Sequence, residues 1–439
     1  MEKIPVLASC DQGNKAMTQT GGQVFSDGSA LELIQGPTGE LQLLSWDGKS
    51  SRIAAQFVRG DETFVPLHVD PALLRSMWLP SHILKYGSTR KLFAEISGLI
   101  SQTTQAGESV VLPLTFYVFA TWLADSLPSA PFVWIITPLT TNAALLRQLL
   151  VLLCRRAFVV SDISPVKFQS LPMDLEPTLI TEIFQPTRPV LNSLRASTRH
   201  GAFVAGGKVM DAFCPKVVFA PEPLRDPASA GFPLELALPP AREYVPPISA
   251  PEAERIAREY QAKLLGYRLL NRAKVHAPTF DMNQFTVPMQ EMAYCLAGPI
   301  ADDNDLQSKI VPFLKPLDRE IRADFASLPP AILLEVLLAR CHSGNGMDFP
   351  VTEITRSVNT VLQGRGNVLE TSPETIGWTL RALGLHTRFL NGGKKGLALP
   401  HEVCEKIHVL AASYGVRTLR ELPGKPDCPL CQSMSVWKQ

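Results

Sequence analysis

The strongest constraint on the fold is an uninterrupted apolar run, Phe132–Ile136, followed by a helical pattern at Asn142–Arg155. Such a run is typical of a central parallel strand that is covered by helices on both faces. Further strand patterns, separated by helical ones, lie at 157–160, 178–182, 216–220 and 234–238. Strands that alternate with helices predict an α/β domain with a parallel sheet and right-handed crossovers.

Pattern changes along the chain divide its 439 residues into successive predicted segments. Short alternating runs between turn signals such as Asp47-Gly48 predict a small β-meander before the α/β domain. The segments are an irregular N-terminus (1–28), a β-rich region (29–80), the α/β domain (81–240), a helical block (241–345), a winged helix (346–416) and a flexible tail (417–439).

Composition sets the protein class. Hydrophobic residues make up 46% and charged residues 19%, as in a folded globular chain. The net charge of +1 provides no global attraction to nucleic acid or acidic lipid, so any DNA contact requires a local basic patch. The longest apolar stretch, Val110–Ala124, is shorter than the roughly 18 residues of a membrane span and predicts a buried helix. Scattered cysteines and a polar N-terminus without a secretory pattern predict a cytoplasmic protein.

The segment after Phe132–Ile136 lies where a phosphate-binding loop would be expected. A working loop reads G-x-x-x-x-G-K-[ST]: backbone N–H groups surround the phosphates, the lysine meets them, and the hydroxyl holds magnesium. Here residues 137–144 read Thr-Pro-Leu-Thr-Thr-Asn-Ala-Ala, with neither glycine, lysine nor hydroxyl in place. Ala143 offers no charge, and Pro138 removes a backbone donor.

Several segments of residues 80–415 resemble one protein family. These are Ser161–Pro165, Pro177–Glu182, Leu191–Ser197 with His200-Gly201, and Phe213–Phe219. The chain resembles degenerate relatives of the P-loop helicase-like domains of phage and genomic-island primase–helicase proteins. The resemblance implies a degenerate P-loop-like parallel-sheet domain and a C-terminal winged helix.

The sequence differs from active relatives at the positions that would carry out ATP hydrolysis. Active relatives end the strand resembling Leu179–Glu182 with an Asp-Glu pair that orders magnesium and activates water. This chain reads Glu182-Ile183 there, and Phe232 stands near the place of an arginine that follows the segment resembling residues 226–228. With Ala143 and Ala144 in the loop, the resemblance implies a pseudo-ATPase with neither catalytic residues nor a cofactor. The alternative is an α/β domain that never bound nucleotide.

Residues 346–416 carry the pattern of a winged helix. A helix is predicted at Val351–Gln363. A second begins at the N-cap Ser372, with proline at its first position, and stops at the C-cap glycine Gly384. Two strand patterns, Leu385–Leu390 and Gly396–Leu399, then flank the turn Asn391–Lys394, and a helix at His401–Tyr414 closes the module.

The second helix and the wing supply the candidate DNA-binding residues. Burial of Ile376, Leu380 and Leu383 turns the opposite helix face outward. Glu374 is the one acidic residue between 372 and 397. A recognition helix fits a major groove, and basic wing residues contact phosphate. The predicted nucleic-acid-binding residues are Thr375, Trp378, Thr379 and Arg381 on the helix, and Arg388, Lys394 and Lys395 on the wing.

Two other constellations carry no predicted site. Cys428 and Cys431 have the spacing of half a zinc site, but a structural site needs four ligands and no second C-x-x-C is present. His401, Cys404 and His408 share a face of a helix that must pack within its own module. No metal is therefore predicted, although a site shared between two chains stays open. The acidic run at 302–305 lacks the glycine and distal glutamate of a calcium loop and predicts helix N-capping.

The sequence thus predicts a non-catalytic DNA-associated protein, a regulator or scaffold from a mobile-element or replication context. One alternative is a protein–protein interaction module that does not bind DNA. Another is an ATPase or helicase-like enzyme with an atypical site. DNA is the expected partner, a protein partner is the alternative, no membrane association is expected, and the oligomeric state stays open.

Overall fold

The computed structural model describes residues 16–138, 142–161, 163–168, 170–205, 208–224, 231–241, 243–343, 348–366, 370–391, 393–416 and 428–433. Contacts divide the chain into two compact units, Met1–Phe280 with Glu291–Ile310, and Asp281–Gln290 with Val311–Gln439. The finer segment boundaries stay a prediction. Among the described residues, no helix has the length and apolarity required to cross a membrane.

The first unit contains a parallel five-stranded sheet, as the sequence predicts. In spatial order its strands are Leu234–Ala237, Phe132–Ile136, Lys216–Ala220, Thr178–Glu182 and Ala157–Val160, and every neighbouring pair is parallel. Side chains of Phe132–Ile136 and Lys216–Ala220 are almost entirely buried, which explains the apolar character of the first strand and of Val217–Ala220 in the second. The mixed α/β fold with this sheet is consistent with a P-loop-like domain.

Helices surround this sheet close to their predicted positions. The helix predicted from the apolar stretch Val110–Ala124 spans Glu108–Trp122 and begins after Gly107 as N-cap. Indole N–H groups of two buried tryptophans are satisfied, since Trp122 donates to the Leu153 carbonyl at 2.9 Å and Trp134 to the Glu222 carbonyl at 3.0 Å. Helices outside the second unit are Pro71–Leu74, Thr89–Thr104, Glu108–Trp122, Ala143–Leu153, Pro165–Phe168, Arg188–Ala196, Ala250–Asn271 and Asn304–Ser308, and Val287–Ala297 has residues in both units.

The N-terminal part differs from the sequence prediction. Residues 1–28 were expected to be irregular, but Ala16–Thr20 and Gly22–Val24 are strands; residues 1–15 lie outside the described residues. Ala16–Thr20 pairs in parallel with Glu62–Pro66, a partner too distant along the chain to leave a local signal. The other strands of this region are Ala30–Gln35, Leu41–Trp46, Ser51–Ala54 and Phe57–Arg59. A further hairpin, Ala202–Ala205 with Lys208–Asp211, was not predicted.

A buried ion cluster surrounds Glu32 on strand Ala30–Gln35. Its carboxylate accepts hydrogen bonds at 3.1 Å from both Arg155 and Arg156 and another from Arg268. Arg268 in turn donates to both carboxylate oxygens of Asp125, at 2.6 and 2.9 Å. Burial alone would raise the pKa of Glu32, but the charges of Arg155, Arg268 and Arg156 outweigh burial and lower it to about 2. The cluster joins the N-terminal strands to the α/β elements of the same unit.

Lys216 is a buried cation that, unlike the arginines of this cluster, has no carboxylate partner among the described residues. It begins strand Lys216–Ala220 with 0% of its surface exposed. Its ammonium lies 5.2 Å from the centroid of the Phe132 ring and has no hydrogen-bond partner in the described part of the chain. Burial lowers the pKa of Lys216 to about 8.

The second unit contains a module, residues 348–416, that we call the C-terminal module. Its elements are the strand Asp348–Pro350, the helices Val351–Gly364 and Pro373–Ala382, the strands Arg388–Phe389 and Lys395–Ala398, and the helix His401–Ser413. Except for the first strand, this is the predicted order. The core includes Ile354, Ile376, Leu380, Leu397 and Ile407, and the preceding helices of the unit are Val311–Ser327 and Pro329–Ser343.

The predicted flexible tail, 417–439, contains ordered structure near its end. Residues 428–433 are described, and Pro429–Ser433 is a short helix; residues 417–427 and 434–439 lie outside the described residues. A flexible tail was predicted because Cys428 and Cys431 form a single C-x-x-C pair with no second one in the sequence. The structure instead places both cysteines against histidines of other helices.

Candidate nucleic-acid interface

A groove in the C-terminal module brings predicted DNA-binding residues together. Its volume is about 610 Å³, and it lies between the first turn of Val351–Gly364, the helix Pro373–Ala382 and the hairpin. We call it the basic groove. Its lining residues are Val351, Thr352, Pro373, Glu374, Gly377, Trp378, Arg381, Thr387, Lys394 and Lys395.

The helix Pro373–Ala382 has well-formed ends. The Ser372 hydroxyl accepts a hydrogen bond from the Thr375 backbone N–H at 3.3 Å, which caps the N-terminus. At the C-terminus Gly384 has a φ of +67°. Its N–H donates to the Arg381 carbonyl at 2.9 Å, and the Leu385 N–H donates to the Leu380 carbonyl at 2.8 Å. This pair of bonds is the Schellman motif, so the predicted C-cap is confirmed.

The hairpin on the other side of the groove is held by a third strand. Lys395–Ala398 pairs antiparallel with both Arg388–Phe389 and Asp348–Pro350. Gly396 permits this packing, because a Cβ atom there would lie 2.6 Å from the Phe349 carbonyl oxygen. The turn is closed by Leu390 N–H donating to the Lys394 carbonyl at 2.9 Å. Gly392, in the predicted turn, lies outside the described residues.

The predicted site residues fall into two groups. Four of them, Trp378, Arg381, Lys394 and Lys395, line the basic groove. Arg388 is exposed on the hairpin but is not among the lining residues, and neither are Thr375 and Thr379. Both threonine hydroxyls have local partners: that of Thr379 donates to the Thr375 carbonyl at 2.9 Å, and that of Thr375 lies 3.2 Å from the Ser372 hydroxyl.

The cationic side chains of this region are not held in ion pairs by the described residues. Arg381, Arg388, Lys394 and Lys395 are exposed, and no ion pair to a described carboxylate involves any of them. Glu374 also lines the groove; the Ser372 hydroxyl lowers the pKa of its carboxyl, so it stays ionised. Two aromatic side chains of this region are exposed: Trp378, which lines the groove, at 73%, and Phe389, on the strand Arg388–Phe389, at 79%. The result is a local basic surface on a chain of nearly zero net charge.

The described residues on either side of the segment expected to hold phosphate make other contacts. Thr137 donates its N–H to the Ala220 carbonyl at 2.7 Å, and its hydroxyl donates to the same oxygen at 3.2 Å. Ala143 and Ala144 begin the next helix, whose N-cap residue Asn142 makes no side-chain capping bond. Residues 139–141 lie outside the described residues.

Residues at the positions where active relatives were expected to carry catalytic groups take part in packing and ion pairing. Ile183, where a water-activating glutamate was expected, is buried in an apolar cluster with Phe132 and Trp134. Glu182 forms an ion pair of 2.8 Å with Arg147 on the helix Ala143–Leu153. Phe232 has a left-handed φ of +55°, and residues 226–228 lie outside the described residues.

A second group of polar side chains meets elsewhere in the second unit. His342 at the end of Pro329–Ser343 and His408 on His401–Ser413 face Cys428 and Cys431, with one potential ligand atom of each within 4.8 Å of the others. The Nε2 atoms of the histidines are 3.0 Å apart. Neither His401 nor Cys404 belongs to this group, although the sequence placed both on one face with His408. The predicted shortage of ligands for Cys428 and Cys431 is therefore wrong.

Comparison with known proteins gives only distant similarity. No family model and no curated protein matches the chain. Among solved structures it is similar to a full-length MCM homologue from Methanopyrus kandleri, at 12% identity and a TM-score of 0.34, over 65% of this chain and 76% of that one. It is also similar to the apo C-terminal region of NrS-1, at 10% identity and a TM-score of 0.36, over 84% and 95%. A third similarity is to the ORC1 protein of Aeropyrum pernix in complex with DNA, at 13% identity and a TM-score of 0.20, over 70% and 92%. Similarity at this level assigns the chain to no family.

Proposed function

We propose that the chain is a non-catalytic DNA-associated protein, a regulator or scaffold, that contacts DNA through the basic groove. The C-terminal module is then a winged helix with Pro373–Ala382 as recognition helix and Arg388–Phe389 with Lys395–Ala398 as wing. The observation that carries the proposal is the convergence of Arg381, Lys394 and Lys395 on one groove. Cations on both sides of a groove are placed to contact a phosphate backbone between them.

The recognition helix supports sequence reading as well as phosphate contact. In helix-turn-helix proteins this helix lies in the major groove of the DNA. Arg381 has the donors to reach a guanine edge, and exposed Trp378 offers an apolar surface to a thymine methyl group. The capped ends hold the helix, so its exposed face is preorganised for contact.

The non-catalytic part of the proposal rests on the α/β domain. A buried isoleucine, Ile183, cannot activate water, and Glu182 is already paired with Arg147. Ala143 and Ala144 bring neither the charge nor the hydroxyl that phosphate and magnesium require. We infer that this domain is kept for its shape.

DNA binding is tested by a triple variant of Arg388, Lys394 and Lys395 to alanine. All three side chains are exposed, so folding should be unchanged. Each phosphate contact that is lost reduces the number of counterions released from the DNA on binding. Affinity should therefore fall for all sequences, and the slope of log affinity against log salt concentration should become shallower by about one unit per contact. Arg381→Ala should instead relax the sequence preference at one base position and cost about 1–3 kcal/mol of binding free energy on the preferred sequence. Fluorescence anisotropy with duplex DNA measures both.

The matched control removes the same charge elsewhere. Lys309, Lys315 and Arg319 are exposed and do not line the groove, so their triple alanine variant should bind DNA like the wild type. Equal weakening in both triple variants would place binding outside the groove. The same result as wild type in the first variant would contradict the proposed interface.

ATP is expected neither to bind nor to be hydrolysed. Calorimetric titration of the full chain with ATP and magnesium should give no heat of micromolar binding, because Ala143 and Ala144 lack the required donors and charge. Any turnover in a phosphate-release assay should be equal in the Glu182→Gln variant, since it would then come from a contaminant. Turnover that disappears in Glu182→Gln would favour the alternative of an ATPase with an atypical site.

A protein-binding module is the second candidate. It is favoured by the exposed aromatic rings of Trp378 and Phe389, since large apolar side chains are common in protein interfaces. A failure of DNA binding together with saturable binding of a protein partner that Trp378→Ala abolishes would support it.

A further inference from the structure

We propose that His342, His408, Cys428 and Cys431 form a structural zinc site in the second unit. The site goes beyond the proposed DNA interface and involves none of its residues. The two histidines come from different helices, and the two cysteines come from one short segment that contains the helix Pro429–Ser433. Two imidazoles and two thiolates are a common ligand set of structural zinc.

The distances between ligand atoms match those of a tetrahedral site. With Zn–N near 2.1 Å and Zn–S near 2.3 Å, a tetrahedron places two nitrogens about 3.4 Å apart and nitrogen and sulfur about 3.6 Å apart. Here the two Nε2 atoms are 3.0 Å apart. Cys431 Sγ lies 3.2 Å from His342 Nε2, and Cys428 Sγ lies 3.4 Å from His408 Nε2. A small outward movement of each of the four side chains would make room for the ion between them.

The tautomer of His408 independently points to a ligand. Its Nδ1 atom lies 2.6 Å from the carbonyl oxygen of Cys404. A carbonyl can only accept, so Nδ1 carries the hydrogen and the Nε2 lone pair faces the other three groups. Metal-ligating histidines are oriented in this way by a bond from the other ring nitrogen. His408 is 0% exposed, so its lone pair cannot turn to water.

The coordination indicates a structural role. Four protein ligands leave no open position for water or substrate, which is the pattern of a closed site. The ion would tie the segment 428–433 to the end of Pro329–Ser343 and to the middle of His401–Ser413. The C-x-x-C motif supplies two of the four ligands. The other two, His342 and His408, are 66 residues apart in the sequence and show no ligand spacing.

The test measures metal in the full chain, purified without chelating resin. Mass spectrometry should find about one zinc per chain in the wild type. The double variant Cys428→Ser, Cys431→Ser should lose that zinc. Cys404→Ser is the matched control, because it removes a nearby thiol on the His408 helix that is outside the ligand group, and should retain zinc. Circular dichroism should show that both variants are folded.

A cobalt titration decides the result even if the double variant does not fold. Co²⁺ added to the reduced, zinc-free wild type should give the visible bands of a tetrahedral site and near-ultraviolet thiolate charge transfer. Zinc should then displace the cobalt. The proposal is overturned if the folded wild type retains no zinc and shows no tetrahedral cobalt spectrum. Equal zinc in wild type and a folded double variant would also overturn it, whatever the outcome for DNA binding.

Discussion

Replacing Glu32 by glutamine should destabilise the chain by about 3–5 kcal/mol, the largest single effect that we expect. Glu32 neutralises Arg155, Arg156 and Arg268 in a site where its own side chain is only 4% exposed. The amide keeps the shape but removes the charge, so guanidinium groups remain buried without compensation. The measurement is urea denaturation followed by tryptophan fluorescence, since Trp122 and Trp134 are buried in the same unit.

The pH dependence of this effect has a definite sign. The folded-state pKa of Glu32 is about 2, below its ordinary value of 4.5. Its stabilising contribution is therefore complete above pH 4.5 and lost as the pH falls from there towards 2. The difference between wild type and Glu32→Gln should shrink over the same range. Asp27→Asn is the control, because Asp27 pairs with Arg59 at the surface, where solvent screens the pair and the change should be much smaller. Equal stability of wild type and Glu32→Gln at neutral pH would contradict the described cluster.

Replacing Lys216 by methionine should have the opposite result and stabilise the chain by about 2–3 kcal/mol at pH 7. Burial lowers the pKa of Lys216 from 10.5 to about 8, so keeping it protonated in the folded state costs free energy. Methionine has a similar length and no charge to desolvate. Between pH 8 and 10.5 the unfolded chain binds more protons at this residue, so wild-type stability should rise with pH there.

The variant should lose this rise, and thermal denaturation at pH 7, 8 and 10 measures it. Lys263→Met is the control, since Lys263 is paired with Glu95 at 2.7 Å and Glu259 at 2.6 Å and no gain is expected from its removal. A Lys216→Met variant that is no more stable than wild type at pH 7 would show that the ammonium is solvated in the folded chain.

Local sequence signals account for most of the predicted fold. Phe132–Ile136 was predicted with its observed bounds, because a fully buried strand requires an apolar residue at nearly every position. Gly384 and Ser372 marked the ends of one helix, because a positive φ and a side-chain cap each need particular residue types. Strands that depend on a distant partner were missed. Ala16–Thr20 pairs with residues 62–66, and Asp348–Pro350 pairs with residues 396–398.

The candidate sites also differ in whether local sequence signals could reveal them. Residues on one helix and its neighbouring hairpin could be grouped from spacing, and the structure brings Trp378, Arg381, Lys394 and Lys395 to one groove. The histidine–cysteine cluster could not be found in this way. His342 and His408 each look like an isolated histidine in sequence, and only the packing of their two helices brings them within reach of Cys428 and Cys431.

Salt-dependent binding of the full chain to duplex DNA tests the central claim most directly. If the basic groove contacts phosphate, binding should be measurable at low salt, and the logarithm of the association constant should fall linearly with the logarithm of salt concentration. The slope should be shallower by up to about three units in the Arg388, Lys394 and Lys395 triple alanine variant and unchanged in the Lys309, Lys315 and Arg319 variant. Absence of binding at low salt, or identical slopes in all three proteins, would contradict the account.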